Sequence, residues 1–155
     1  MYKFAIDYPN TWRVEFGLNS GRAEGCVIFR SPKKDRVFLT WGMLEKIKGK
    51  YDSLEAQAKA SLARIGNGRD VRKLRLVETK MTEVNGHSAV LNHFLMDRAI
   101  GMRMIKVDSK EVWSIHLQCE ETQRFFIIYE STPDISRSQE QSAIFDEMKN
   151  SFICH

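Results

Sequence analysis

A chain of 155 residues with 43% hydrophobic and 28% charged residues has the length and composition of one globular domain, which excludes the disordered and fibrous classes. The net charge of +4 and the pI of about 9.0 make the protein mildly basic. There is no run of about 18 consecutive apolar residues, which excludes a membrane-spanning helix. We therefore predict a single domain over residues 1–155.

The first residues and the cysteines indicate the compartment. Residues 1–7 are too short and too polar to form a secretory signal peptide. Three cysteines, an odd number, without such a signal are typical of free thiols in a reducing cytoplasm. We therefore expect a cytoplasmic protein that makes no membrane contact.

The first third of the chain predicts short strands. Residues 2–6 alternate between apolar and polar side chains, which predicts an edge strand that ends before Pro9. Further strands are predicted over residues 12–16, 26–29 and 37–44. The continuous apolar run at 26–29 indicates a strand that is covered on both faces.

Residues 54–65 predict the first helix. Asp52 and Glu55 have the spacing of a capping box. One apolar stripe at helical spacing is formed by Leu54, Ala58, Leu62 and Ile65. Gly66 stands where a glycine commonly follows the last residue of a helix. We expect this helix to lie on one face of a sheet.

The second half of the chain predicts an antiparallel meander. Asn85-Gly86 joins strands 74–84 and 87–98, because both central residues of a type I′ turn require positive φ. The following strands are predicted at 102–107, 112–119 and 125–131, with turns at 108–110 and 120–122.

A second helix closes the sequence. Ser138 and Gln141 have the capping-box spacing, and the apolar stripe of Ile144, Met148 and Phe152 carries the helix to about Ser151. Because several strands are apolar on both faces, the sheet needs a cover on each side. We therefore predict an α+β fold, an antiparallel β-sheet flanked by helices on both faces.

Motifs along nearly the whole chain resemble those of the PsbP-like superfamily. They are Phe4-x-Ile6-x-Tyr8-Pro9-x-x-Trp12 at the start, the helix at 54–65, Val84-Asn85-Gly86 before a strand, and the last helix ending in Ser151-Phe152. This superfamily includes the photosystem II extrinsic protein PsbP, Mog-type Ran-binding proteins and DcrB-like proteins. The resemblance implies an α/β/α sandwich that has no enzymatic activity and docks onto other proteins.

Lysine and arginine gather in two short runs, 46–50 and 69–75. Arg69, Arg72 and Arg75 of the second run could bind an acidic protein partner, and the alternative interpretation is a pair of solvated loops. No aromatic residue interleaves the second run, so the sequence does not favour nucleic acid as a partner.

His93 is a further candidate binding residue. It shares the face of a predicted strand with Ala89, Leu91 and Leu95. A histidine in that position is either a hydrogen-bonded core residue or the wall of a pocket.

The sequence carries no familiar catalytic motif. The Gly-x-Ser-x-Gly elbow, the phosphate-binding P-loop, His-Glu-x-x-His and Gly-x-Gly-x-x-Gly are all absent. The acidic pairs Glu120-Glu121 and Asp146-Glu147 are adjacent in sequence, so their side chains point apart. We therefore predict that the protein is not an enzyme and has no cofactor.

Four residues have side chains that commonly bind zinc: His116, Cys119, Cys154 and His155. His116 and Cys119 are an odd number of residues apart, so their side chains face opposite sides of a strand. Cys119, Cys154 and His155 could bind a metal if the last helix ends beside that strand. A Cys119–Cys154 disulfide is the alternative, and free thiols are the default in a reducing compartment.

The main functional prediction is a non-catalytic protein-binding or adaptor module that is a monomer or a weak dimer. Its partner, an unidentified protein, would contact the sheet edge or the loops at 17–25 and 66–72. The alternative is a small-ligand or metal-binding protein with a pocket between sheet and helix, near His93, Trp113 and Cys119.

Overall fold

The structure is a computed structural model that describes residues 3–101, 106–133 and 135–155. The strands are β1 (Arg13–Phe16), β2 (Gly25–Arg30), β3 (Arg36–Met43), β4 (Val71–Val84), β5 (His87–Ile100), β6 (Lys106–Cys119) and β7 (Arg124–Thr132). The helices are α1 (Leu54–Gly66) and α2 (Ser138–Ser151), and two 3₁₀ turns span Leu44–Lys46 and Ile135–Arg137.

The strands form one antiparallel sheet in the order β1-β2-β3-β7-β6-β5-β4. Neighbours in the sheet are also neighbours in sequence except at one place, where β3 pairs with β7. That pairing joins the first three strands to the last four, so β1 and β4 become the two edges.

The two helices cover opposite faces of the sheet. On one face, Phe145 and Met148 of α2 belong to the main core together with Leu39 and Ile128 of the central strands. On the other face, Leu62 and Ile65 of α1 pack against a second core cluster of Phe94, Met96 and Val112. The predicted α+β fold with an antiparallel sheet between helices is therefore confirmed.

The hairpin between β4 and β5 forms as predicted. Asn85 has φ 46° and Gly86 has φ 83°, so both central residues are in the left-handed region that a type I′ turn requires. The turn fixes the register of two 14-residue strands from Val84 opposite His87 onwards. The predicted turn at 120–122 is also present, because residues 120–123 connect β6 to β7.

The predicted turn at 108–110 is wrong. Residues 108–110 lie inside β6, where Asp108 pairs with Arg98 and Ser109 pairs with Asp97. The Ser109 hydroxyl donates a hydrogen bond to Asp97, 2.7 Å away. Polar cross-strand partners stabilise polar residues in this exposed part of the sheet, which local composition does not reveal. Of the strand predicted at 102–107, residues 102–105 lie outside the described residues.

The predicted first strand is reduced to one bridge. Ala5 and Ile153 exchange two backbone hydrogen bonds of 2.8 and 2.9 Å, and neither residue belongs to a named strand. The segment that follows α2 therefore runs beside the start of the chain. Tyr2, the first residue of the predicted strand, lies outside the described residues.

Both predicted capping boxes are wrong in detail. Ser53, not Asp52, caps α1, because its hydroxyl accepts a hydrogen bond from the Ala56 amide at 3.1 Å. Ser138 is the first residue of α2, since the preceding 3₁₀ turn leads directly into the helix. Gly66 is the last residue of α1 and not the residue after it.

No helix among the described residues is long and apolar enough to span a membrane.

The apolar run at 26–29 is fully covered on one face only. Val27 and Phe29 are buried towards α2, whereas Cys26 and Ile28 are half-buried. The same difference appears in β7, where Phe126 is buried and its neighbours in sequence are half-buried. The sheet is therefore packed more deeply on the α2 face than on the α1 face.

Candidate functional site

The three predicted arginines lie along one edge of the sheet. Arg69 lies two residues before the start of β4, and Arg72 and Arg75 lie within it. All three are exposed, and none forms an ion pair with another described residue. Because β4 is the last strand of the sheet, its outer backbone groups have no partner strand among the residues that the structure describes.

We use the term β4 edge for the exposed residues between 69 and 83. Its charged side chains are five cations and two carboxylates: Arg69, Arg72, Lys73, Arg75, Lys80, Glu78 and Glu83. Lys80 pairs with Glu78 at 3.4 Å. Leu76, Val77 and Met81 are also about half exposed here. The β4 edge therefore combines positive charge with apolar side chains.

Two bulges interrupt the pairing of β4 with β5. They lie between Val71 and Lys73 and between Leu76 and Glu78. A bulge bends an edge strand and increases its local twist. The uninterrupted stretch from Glu78 to Val84 is the longest regular part of the β4 edge.

His93 is a half-buried residue whose ring already contacts two neighbouring side chains. Its Nε2 lies 2.7 Å from Oε1 of Glu111, and its ring stacks on Trp113 at 4.8 Å with an interplanar angle of 8°. Cys119 lies six residues beyond Trp113 on β6, which separates them by roughly 20 Å. The structure therefore brings His93 and Trp113 together in the middle of their strands but leaves Cys119 apart from them, at the last residue of β6.

Cys119, Cys154 and His155 come together, and His87 joins them. We call these four residues the Cys/His cluster; their ligand atoms all lie within 4.8 Å of one another. The three cysteines of the chain are free thiols. Burial, followed by the neighbouring Cys119, raises the pKa of the Cys154 thiol to about 12.

His116 stays outside the Cys/His cluster, as the strand geometry predicts. It pairs with Val90 and Ile127 on the α1 face, whereas Cys119 belongs to the core on the α2 face. Burial lowers the pKa of His116 to about 4, so its ring is neutral at neutral pH. The sequence interpretation missed His87, because its position opposite Cys119 depends on a strand register that composition does not give.

A second group of polar residues lies at the opposite end of the sheet. We call Ser31, Asp35, Thr132 and Arg137 the Asp35 cluster. The fully buried Asp35 carboxylate accepts hydrogen bonds from the hydroxyls of Ser31 and Thr132 at 2.7 and 3.0 Å. It also accepts two from the Arg137 guanidinium at 2.9 and 3.3 Å. No sequence motif marks this cluster, because its members come from separate parts of the chain.

Glu130 is the other buried carboxyl group near that end. It lies under α2 between Val37 and Trp113, and neither carboxyl oxygen has a hydrogen-bond partner among the described residues. Burial, then the charges of Asp35, Asp146 and Glu111, raises its pKa to about 9. The carboxyl group is therefore protonated at neutral pH.

An antiparallel sheet covered by one helix on each face defines a fold class that solved structures share. The PsbP of the cyanobacterium Synechocystis superposes with a TM-score of 0.70 at 13% identity, covering 99% of this chain and 88% of that one. This chain therefore has the PsbP-like fold. The likeness concerns the fold alone, because the identity is so low.

Two further solved structures are similar. The Ran-binding protein Mog1p of Saccharomyces cerevisiae has a TM-score of 0.57 at 9% identity, covering 98% of this chain and 90% of that one. LpqN of Mycobacterium tuberculosis, which is involved in cell envelope biogenesis, has a TM-score of 0.56 at 10% identity, covering 97% and 82%. The sequence matches no protein-family profile and no curated protein.

Proposed function

We propose that residues 1–155 form a non-catalytic protein-binding module of the cytoplasm, whose partner is an extended, acidic segment of another protein. The segment binds along the β4 edge. The single observation that carries this proposal is the coincidence of unpaired strand backbone with an excess of positive charge at one edge of the sheet.

An edge strand offers its free N–H and C=O groups to a further strand, and side chains then select the partner. Arg72 and Arg75 can each bind a carboxylate through two parallel hydrogen bonds. Leu76 and Met81 lie about half exposed on the same strand, where they can contact apolar side chains of the segment. Charge complementarity therefore favours an acidic segment over a basic one.

The similar folds support a binding role. Mog1p is a Ran-binding protein, and this chain shares its fold across nearly the whole length. The absence of catalytic motifs from the sequence favours the same class. We propose no activity beyond binding.

Positive charges and bulges on an edge strand also protect a protein from aggregation. An edge strand that only prevents aggregation needs charged side chains in no particular arrangement, and it has no binding partner. The two roles are distinguished by whether a partner contacts this edge in a charge-dependent way.

The test is photo-crosslinking in extracts of the host organism. A photoreactive amino acid replaces Met81 at the β4 edge, or Val14 at the β1 edge as the control position. We expect one protein to crosslink at position 81 and not at 14. Capture should weaken as salt increases, because exposed charge pairs are screened.

A charge reversal makes the test specific. Arg69→Glu, Arg72→Glu and Arg75→Glu together should abolish capture at position 81. The matched control is Lys46→Glu, Lys48→Glu and Lys50→Glu, which makes the same charge change in the other basic run. Equal capture by both triple variants and the parent protein would contradict the proposal.

The alternative function, a small-ligand pocket near His93, Trp113 and Cys119, has less support. The ring of His93 already hydrogen-bonds to Glu111 and stacks on Trp113. Cys119 lies far from His93 and from Trp113. The metal-binding part of that alternative has separate support in the Cys/His cluster.

A further inference from the structure

The Cys/His cluster gathers its ligands from three segments of the chain. His87 is the first residue of β5, Cys119 is the last residue of β6, and Cys154 and His155 follow α2. Cys119 and Cys154 are almost fully buried, His87 is half-buried and His155 is exposed. The cluster is therefore enclosed on the core side and open on the solvent side.

The distances within the cluster suit one small ion. Cys154 Sγ lies 3.2 Å from His87 Nε2 and 3.6 Å from His155 Nδ1, and Cys119 Sγ lies 4.0 Å from the same Nδ1. Zinc bonds of about 2.3 Å to sulfur and about 2.0 Å to nitrogen give tetrahedral edges of about 3.3–3.8 Å. Small side-chain movements therefore bring all four atoms to such an ion.

Glu121 supplies an outer contact to this group. Nδ1 of His155 faces the two sulfur atoms, while Nε2 of the same ring lies 3.5 Å from Oε2 of Glu121. A metal-binding histidine typically donates its other ring N–H to a carboxylate, which fixes the ring and its tautomer. Glu121 therefore lies close enough to accept the second ring N–H of His155 after a small side-chain movement.

The donor set selects the metal. Two thiolates and two imidazoles in a tetrahedral arrangement suit Zn²⁺, whereas Mg²⁺, Ca²⁺ and Mn²⁺ prefer oxygen ligands. We propose that His87, Cys119, Cys154 and His155 bind one Zn²⁺ ion in a closed tetrahedral site.

Four protein ligands leave no open position, so the site is structural. It fastens residues 152–155 to the end of the sheet, where Ile153 already pairs with Ala5. A surface groove of about 430 Å³, lined by His87, Glu121, Gln118 and Leu54 among others, gives the ion a path from solvent. The proposal does not depend on the β4 edge or on its partner.

The test uses the full chain, reduced and freed of metal with a chelator. Zn²⁺ is titrated in competition with a chromophoric chelator, and Co²⁺ is used in parallel as a spectroscopic probe. We expect one ion per chain, a sulfur-to-cobalt charge-transfer band with the intense d–d absorption of tetrahedral Co²⁺, and a melting temperature raised by about 5 °C or more with excess zinc.

Exposed residues give variants that keep the fold. His155→Ala removes one ligand and should weaken zinc binding at least tenfold, and Glu121→Gln, which acts only through His155, should weaken it by a smaller factor. Cys154→Ser leaves Cys119 as the one sulfur ligand and should roughly halve the sulfur-to-cobalt band, whereas Cys119→Ser and Cys154→Ser together should abolish it. The matched control is Cys26→Ser, which changes the one cysteine outside the cluster and should leave zinc binding unchanged.

Three results would overturn the proposal. One is no binding of Zn²⁺ by the reduced chain, and another is an equal loss of binding in Cys26→Ser and Cys154→Ser. The third is a stoichiometric Cys119–Cys154 disulfide, seen as the loss of two hydrogen masses, in protein freshly purified from its host.

Discussion

The two ends of the sheet each gather four polar residues, but they do so with opposite electrostatic results. In the Asp35 cluster, one buried carboxylate meets a guanidinium and two hydroxyls, so donors and acceptor match. In the Cys/His cluster, two sulfur atoms and two ring nitrogens face one another, and all four are electron-pair donors towards a metal. The first group is complete within the chain, whereas the second has an arrangement that a cation would complete.

The Asp35 cluster and the Cys/His cluster therefore differ in whether their polar atoms satisfy one another or need a cation between them. Both groups link distant parts of the chain, since Asp35 and Arg137 are 102 residues apart and Cys119 and His155 are 36 apart. Separation in sequence and burial therefore do not distinguish them. What distinguishes them is whether the charges and hydrogen bonds balance within the group.

Removing the cation from the balanced cluster should have the largest effect. Arg137→Ala leaves the Asp35 charge buried and without its counter-ion, so we expect the free energy of unfolding to fall by about 3–5 kcal/mol. Urea denaturation measures the change. Lys33→Ala is the control, because it removes an exposed ion pair with Glu140 and should cost less than about 1 kcal/mol. Equal effects of the two substitutions would show that Arg137 does not stabilise the buried Asp35 carboxylate.

Glu130 is a buried carboxyl group near the Asp35 cluster, but neither of its oxygens has a hydrogen-bond partner among the described residues. Its pKa is raised to about 9 in the folded state, so the native protein binds one more proton than the unfolded chain between pH 4.5 and 9. The free energy of unfolding then falls as pH rises through that window, by up to about 1.4 kcal/mol per pH unit. Glu130→Gln should remove this slope and be more stable than the parent protein at pH 8.

Urea denaturation of both proteins from pH 5 to 9 measures the slope. His116 contributes in the opposite sense, since its pKa of about 4 means that stability is lost as pH falls from 6.5 towards 4. The comparison is therefore cleanest above pH 7. Glu147→Gln, at an exposed position of α2, is the control and should run parallel to the parent protein. Parallel curves for Glu130→Gln as well would show that Glu130 ionises normally.

Asn85 allows a smaller test at the other end of the sheet. Its Nδ2 donates hydrogen bonds to the carbonyl oxygens of Phe152 and Asn150, at 2.6 and 3.1 Å, and so holds the segment that carries Cys154. Asn85→Gly keeps the positive φ of the turn but removes these bonds, so we expect a loss of about 1 kcal/mol. Amide hydrogen exchange of Ile153 should accelerate.

Asn19→Gly is the matched control for this substitution. Asn19 is exposed and also has a positive φ, of 64°, and its side chain makes no hydrogen bond to another described residue. Hydrogen exchange at Ile153 should stay unchanged in that variant. A similar acceleration in both variants would show that Asn85 does not hold the segment.

The sequence predicted those parts of the fold that local pattern determines. The Asn85-Gly86 turn, the helix after Ser53 and the placement of helices on both faces follow from turn chemistry and apolar periodicity. The turn predicted at 108–110 failed because its polar residues are stabilised by partners in β5, which a local window does not contain. The capping residues shifted by one position for a local reason: the Ser53 hydroxyl caps α1 in place of Asp52, and the 3₁₀ turn before α2 makes Ser138 its first residue.

The candidate sites divide in the same way. Cys154 and His155 are adjacent in sequence, and their meeting with Cys119 could be predicted from the end of the last helix. His87 could not, because it lies two residues beyond the Ala89–Leu117 pair, and the register of β5 with β6 depends on the connection between them. Asp35 and Arg137 meet only once β3 has paired with β7.

The pairing of β3 with β7 also sets the order in which the protein assembles during synthesis. Met43 at the end of β3 precedes Arg124 at the start of β7 by some 80 residues, which take roughly 4–16 s to synthesise. Until then, the inner edge of β3 has no partner strand on a nascent chain that already contains two separate meanders. An unpaired strand edge can pair with other chains, so the interval before β7 emerges is the time when the nascent chain exposes such an edge at β3.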